Sequence, residues 1–142
     1  MMIVVTLIAL VAGISFPSIA AGVDSLRLRS ASDSMVGFLN TALDHADRRQ
    51  QAVEIWISAH DNVLTAQSAD RGFSRRLEIV DPVHINAVLP LETANPDEPR
   101  RFLLYPGGSI PRIGIEIALK SGRKRMVSVD PITGVTRSDL EK

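Results

Sequence analysis

Residues 1–21 read MMIVVTLIALVAGISFPSIAA and contain no ionisable side chain, the first of which is Asp24. As an α-helix rising 1.5 Å per residue, this stretch is about 30 Å long, close to the thickness of the hydrocarbon core of a bilayer. A helix is the conformation in which one isolated segment satisfies its backbone polar groups in lipid. The stretch therefore predicts a transmembrane helix over residues 1–22 that carries the rest of the chain.

A cleaved secretory signal is the alternative interpretation of the same stretch. Ser18-Ile19-Ala20 imitates the small-residue cleavage site of such signals. The basic n-region is missing, however, and the apolar run is longer than a usual h-region. Pro17 also lies inside the run, and a helical pattern continues directly beyond it. We therefore expect a retained anchor.

Beyond Gly22 the apolar residues recur at steps of three, four and five, as they do on one face of a helix of period 3.6. The members of this stripe are Val23, Leu28, Ala31, Met35, Phe38, Leu39, Ala42, Leu43 and Ala46. The helix is thus predicted to continue amphipathically over residues 23–50. Packing against the rest of the domain is expected at Leu28, Met35, Phe38, Leu39 and Leu43.

From residue 51 onward the periodicity changes from that of a helix to the alternation typical of strands. Strands are predicted at residues 53–57, 62–65, 76–80, 83–89, 101–105, 113–119, 126–129 and 135–137. Residues 91–99 predict an exposed loop, and residues 138–142 a frayed end. The expected fold is α+β, in which a long N-terminal helix packs on an antiparallel sheet or sandwich over residues 51–142.

Composition excludes several kinds of chemistry. The chain of 142 residues has 16 Lys plus Arg, 16 Asp plus Glu and no cysteine, so disulfides and thiolate chemistry are excluded and no net charge favours nucleic acid. His45, His60 and His84 have no ligand-like spacing. Neither a nucleophile elbow nor a phosphate-binding glycine loop occurs. We therefore predict no enzyme activity, no cofactor and no metal site.

A basic cluster surrounds the turn of the last long hairpin. Its members are Lys120, Arg123, Lys124 and Arg125, and Arg100, Arg101 and Arg112 are candidates to join it. Such a cluster is a possible contact for DNA phosphates. Aromatic residues that stack bases are missing from it, so a solvated hairpin tip that protects a sheet edge is the favoured interpretation.

The apolar run over residues 1–18 resembles the N-terminal segment of type IV pilins and pseudopilins. Residues 26–31 and 39–48 are similar to the helix of the H-type minor pseudopilins, the GspH/FimT family. Leu104-Tyr105-Pro106-Gly107-Gly108-Ser109 resembles that family's strand and Gly-Ser turn. Residues 128–134, Ser-Val-Asp-Pro-Ile-Thr-Gly, resemble its closing turn.

The resemblance implies a structural subunit of a type II secretion pseudopilus, held in the inner membrane with its head in the periplasm. The implied partners are other pseudopilins or pilins and an inner-membrane assembly platform. The assembly helix would use residues along its whole length, with a kink at the proline. Representative positions are Met1, Val5, Leu10, Gly13, Phe16 and Pro17.

The processing motif of the family, Gly-Phe-Thr-Leu-Ile-Glu, is missing from this sequence. Alignment on Pro17 places its glutamate just before Met1, so we expect an upstream segment on which a prepilin peptidase would act. Two alternatives stay open. One is a minor type IV pilin that primes a pilus or takes up DNA, and the other is a signal-anchored periplasmic enzyme or binding domain.

Overall fold

A computed structural model of the chain describes residues 2–91, 95 and 98–140, apart from the side chains of residues 14–18. The described residues form one helix and eight strands. These are α1 Met2–Arg49, β1 Val53–Ser58, β2 Val63–Ser68, β3 Ser74–Glu78, β4 Val83–Leu89, β5 Arg100–Leu104, β6 Ile113–Leu119, β7 Lys124–Val129 and β8 Thr136–Leu140. The predicted α+β class, with a long N-terminal helix packed on antiparallel β-structure, is confirmed.

The strands form two four-stranded antiparallel sheets, ordered β3-β2-β1-β5 and β4-β6-β7-β8. The chain passes from the first sheet to the second at β4, returns at β5 and leaves again at β6. Because of this exchange, neither sheet is built from one continuous segment of the chain. The predicted hairpin of β6 and β7 is confirmed, with Ile113 opposite Val129.

The second half of α1 supplies one wall of the core. The fully buried positions between residues 28 and 46 follow one another at alternating steps of four and three, as expected for one stripe of a helix. They are Leu28, Ser32, Met35, Leu39, Ala42 and Ala46. Phe38 and Leu43 are partly buried against the same core. Ser32 is the polar member, and its hydroxyl donates a 2.8 Å hydrogen bond to the carbonyl of Arg29.

Strand β6 is the central element of the second sheet, because it is buried at every position from Ile113 to Leu119. Its alternate face is covered as well as its core face. A Cβ on Gly114 would lie only 3.1 Å from the Cβ of Leu89, so glycine allows the close approach of β4. Glu116 on the same face forms an ion pair with Lys124 at 3.0 Å.

Two sequence predictions about the ends of elements are wrong. Val23 does not join the buried stripe, since it is 40 % exposed. It lies five residues before Leu28, which at 100° per residue turns its side chain well away from the packed face. The chain end is not frayed over residues 138–140, because β8 pairs with β7 through Leu140. Most of the predicted loop over residues 91–99 lies outside the described residues.

Candidate functional site

The first half of α1 is a helix with no head domain around it. Every side chain from Met2 to Gly13 is exposed, and Leu10 has 62 % of its surface in solvent. Of the predicted assembly residues, Val5, Leu10 and Gly13 therefore lie on an open surface. Met1 and the side chains of Phe16 and Pro17 lie outside the described residues. Within the described part of the chain, no helix has a stretch that is both long and apolar enough to span a membrane.

The hairpin of β6 and β7 fixes α1 at the point where its exposed half ends. Arg123 in the hairpin turn donates a 2.9 Å hydrogen bond from Nη1 to the carbonyl of Ala21, and the same nitrogen donates to the hydroxyl of Ser25. Further along the helix, Thr136 at the start of β8 donates to Asn40 at 2.7 Å. These contacts bind the helix to the second sheet at two places, near residues 21–25 and at residue 40.

A groove of about 1000 Å³ opens beside this contact, between α1 and the hairpin turn. Apolar side chains and four cations line it. The apolar ones are Leu26, Leu28 and Leu140, and the cations are Arg29, Arg123, Lys124 and Arg125. The Nε atom of Arg125 is buried and has no hydrogen-bond partner among the described residues. The groove therefore combines positive charge with an apolar wall.

The predicted basic cluster is thus largely engaged by the protein itself. Lys120 lies 3.2 Å from the carboxylate of Asp81, and Lys124 lies 3.0 Å from that of Glu116. Arg123 binds α1 as described. The hairpin tip is nevertheless solvated, as the sequence predicts, because Lys120, Arg123 and Lys124 stay exposed while they make these contacts.

The hypothesis that Arg100, Arg101 and Arg112 join this cluster is wrong. Arg100 donates a 2.6 Å hydrogen bond to the carbonyl of Pro90, and Arg101 pairs with Glu54 on the other sheet. Arg112 precedes the first residue of β6, whereas the cluster follows the last. A seven-residue strand is about 20 Å long, so Arg112 is separated from the hairpin turn by the length of β6.

Each of the three histidines has a different neighbour. The ring of His45 on α1 stacks on Phe73 with 4.1 Å between ring centroids, His60 contacts Asp61 at 3.1 Å, and His84 pairs with Ala118 across β4 and β6. In the described ranges, no three metal-ligating side chains come together. The stacked pair of His45 and Phe73 instead ties the end of α1 to the start of β3.

Two aspartates organise turns, and hydrogen bonds lower the pKa of each. The carboxylate of Asp70 accepts hydrogen bonds from Ser68, the backbone N–H of Gly72 and Gln51, which together lower its pKa to about 2. The backbone N–H groups of Ile132 and Thr133 lower the pKa of Asp130. Both are typical roles of Asp in turns, where backbone N–H groups need an acceptor.

Comparisons with protein-family models, with curated proteins and with solved structures give no match. Two surfaces stand out among the described residues. One is the exposed apolar half of α1, and the other is the basic groove at its base. The first was predicted from the sequence. The second was not, because it depends on a contact between residues about a hundred positions apart.

Proposed function

We propose that the chain is a structural subunit of a pilin-like filament, a minor pseudopilin of a type II secretion system. Residues 2–21 would lie in the inner membrane before assembly, with the head in the periplasm. They would pack against the helices of other subunits after assembly. The similarity of residues 104–109 and 128–134 to the H-type minor pseudopilins supports this branch of the class.

The observation that carries the proposal is the contrast within α1. Apolar side chains surround the helix from Met2 to Gly13 and again at Ile19, with all of them exposed. Exposed apolar surface on this scale marks a site of membrane or protein association. A head domain on one side cannot cover a helix that is apolar on every side. Lipid or a bundle of similar helices can do so.

Cysteine crosslinking tests this proposal, because the chain has no cysteine of its own. Single cysteines are placed in turn at positions 3–12 of the full chain, in membranes of its native host, and oxidised. If helices of neighbouring subunits pack together, crosslinked species recur with a period near 3.6 residues. Random collisions would instead crosslink all positions equally.

Thr41→Cys is the matched control, since Thr41 is exposed on the same helix within its packed half. We expect it to give no crosslinked species. The proposal is overturned if the chain leaves the membrane fraction during alkaline carbonate extraction. It is overturned equally if the scan over positions 3–12 shows no helical period.

A further inference from the structure

We infer that the groove at the base of the exposed helix binds the anionic headgroup of a phospholipid. The groove lies between α1 and the β6–β7 turn, and it is lined by Arg29, Arg123, Lys124 and Arg125. This inference rests on the proposed function, because it needs residues 2–21 in a bilayer. It adds a specific lipid-binding site to a helix that would otherwise contact lipid only through its apolar surface.

The position of the groove along the helix matches the depth of lipid headgroups. The polar layer on each side of a bilayer is roughly 5–7 Å thick. With Ala21 at the edge of the hydrocarbon, Ser25 lies about 6 Å further along the helix axis, within this layer. The backbone of Arg29 lies about 12 Å along, beyond the layer, and its long side chain leans back toward the helix N-terminus and the headgroups. Arg123 binds both Ala21 and Ser25, so its guanidinium lies within this layer.

The lining of the groove has the chemistry of an anionic amphiphile's binding site. Among the described residues no carboxylate lines it, and the acidic partners of its cations lie outside the lining, at Asp33 and Glu116. The pair of Arg29 and Asp33 is 3.9 Å long and exposed, so it competes weakly for the arginine. Arginine forks bind phosphate oxygens in a bidentate manner.

The apolar part of the lining favours lipid over nucleic acid. Leu26 and Leu140 are 67 % and 69 % exposed, and both border the groove. They are placed to contact the glycerol and upper acyl region of a lipid whose phosphate meets the arginines. In the described part of the lining there is no aromatic side chain on which a base would stack.

Lipid titration of the full chain in a non-ionic detergent tests the inference. The probes are dihexanoyl phosphatidylglycerol, dihexanoyl phosphatidylcholine, inorganic phosphate and a single-stranded DNA oligonucleotide, each followed by isothermal titration calorimetry. We expect saturable binding of phosphatidylglycerol at least tenfold tighter than that of phosphatidylcholine. Inorganic phosphate is expected to bind more weakly than phosphatidylglycerol, because it lacks the apolar contacts.

The variant R29Q/R125Q removes two groove cations and leaves the Arg123 contact and the Lys124–Glu116 pair in place. Each basic side chain near an anionic lipid surface contributes about fivefold to binding, so we expect a loss of more than tenfold. The control R49Q/R75Q removes the same charge from exposed positions, with Arg49 about 30 Å from Arg29 along the helix. It should bind phosphatidylglycerol as the parent chain does.

Equal affinity for the two phospholipids in the parent chain would overturn the inference, whatever the variants do. Equal losses in both double variants would also overturn it, since net charge alone would then explain the binding. Tighter binding of the oligonucleotide than of phosphatidylglycerol would reassign the groove to nucleic acid. Carbonate extraction separates failure of this inference from failure of the proposed function. A chain that stays in the membrane but binds both phospholipids equally would refute headgroup binding in the groove and leave the proposed function intact.

Discussion

The two halves of α1 share one continuous helical backbone and differ in what covers their side chains. From Met2 to Gly13 every side chain is exposed, whereas from Leu28 to Ala46 six positions are buried in the head. The exposed half is the more apolar of the two. Burial within the chain therefore follows the pattern of apolar residues along the helix, and not their number.

This difference shows where each half obtains its stability. A stripe of apolar residues can be covered by a domain on one side, so residues 28–46 complete the core of their own chain. Apolar residues on all sides need a surrounding medium or several partners. The hydrogen bond of Arg123 to Ala21 lies at the border between the two regimes. Substitutions on either side of that border should have different consequences.

The largest expected effect is that of Leu39→Ala in the packed half. Leu39 is 1 % exposed, and truncating a buried leucine costs about 2–5 kcal/mol through lost transfer energy and the cavity left behind. Urea unfolding of the full chain in non-ionic detergent measures the free energy of unfolding. Leu10→Ala is the control and should change that free energy by less than about 0.5 kcal/mol. Similar losses of unfolding free energy in both variants would contradict the difference in packing between the two halves of α1.

The next largest effect is expected from a substitution in the exposed half of α1, with the packed half as the control. It is measured as retention in the membrane. Leu10→Arg places a charge in the middle of the apolar run, at a cost of about 3 kcal/mol for insertion at the centre of a membrane helix. We expect most of the variant to leave the membrane fraction during carbonate extraction. Thr41→Arg adds the same charge to the solvent face of the packed half and should be retained. Full retention of Leu10→Arg would contradict the proposed location of this segment.

Periodicity was sufficient to predict the long helix, the position of most strands and the final hairpin. It was insufficient at Ser32, whose polar side chain interrupts the apolar stripe although it is buried. Its hydroxyl is satisfied by the carbonyl three residues earlier, a bond that apolar patterning does not reveal. It also missed that Gly114 and Glu116 on β6 are covered, because only the sheet partners decide whether the second face is open.

The candidate groove was not predictable in the same way. The basic residues of the hairpin were recognised, but their partners belong to distant segments. Arg123 binds a helix carbonyl, Lys120 pairs with Asp81 and Lys124 with Glu116. The hypothesis that Arg100 and Arg101 join them is wrong, because both bind residues of other segments. The exchange of strands between the two sheets decides which segments meet, and that exchange is set by tertiary packing.

A smaller effect is expected from replacing one glycine in each half of α1 by alanine. Gly13 and Gly37 both lie on exposed sides of α1, and a Cβ at either position would have no neighbouring atom within 4 Å. Gly37→Ala should raise the free energy of unfolding of the head by about 0.4–1 kcal/mol, because alanine restricts the unfolded chain. Gly13→Ala should leave it unchanged, since its segment is not part of that core. Equal gains would show that α1 unfolds as one unit.

The smallest effect concerns the far end of the packed half, where Gln51 donates to the carboxylate of Asp70 at 2.9 Å. Hydrogen bonds to this exposed carboxylate lower its pKa from 3.8 to about 2 in the folded chain. The stabilisation is therefore complete above about pH 4 and is lost as the pH falls toward 2, since protonation removes the acceptor. Asp70→Asn should lower the urea midpoint at pH 7 and approach the parent chain near pH 2. Asp47→Asn, on the last turns of the same helix, is the control. If the urea midpoints of Asp70→Asn and the parent differ by the same amount at every pH, the hydrogen bonds to the ionised carboxylate do not stabilise this end of the helix.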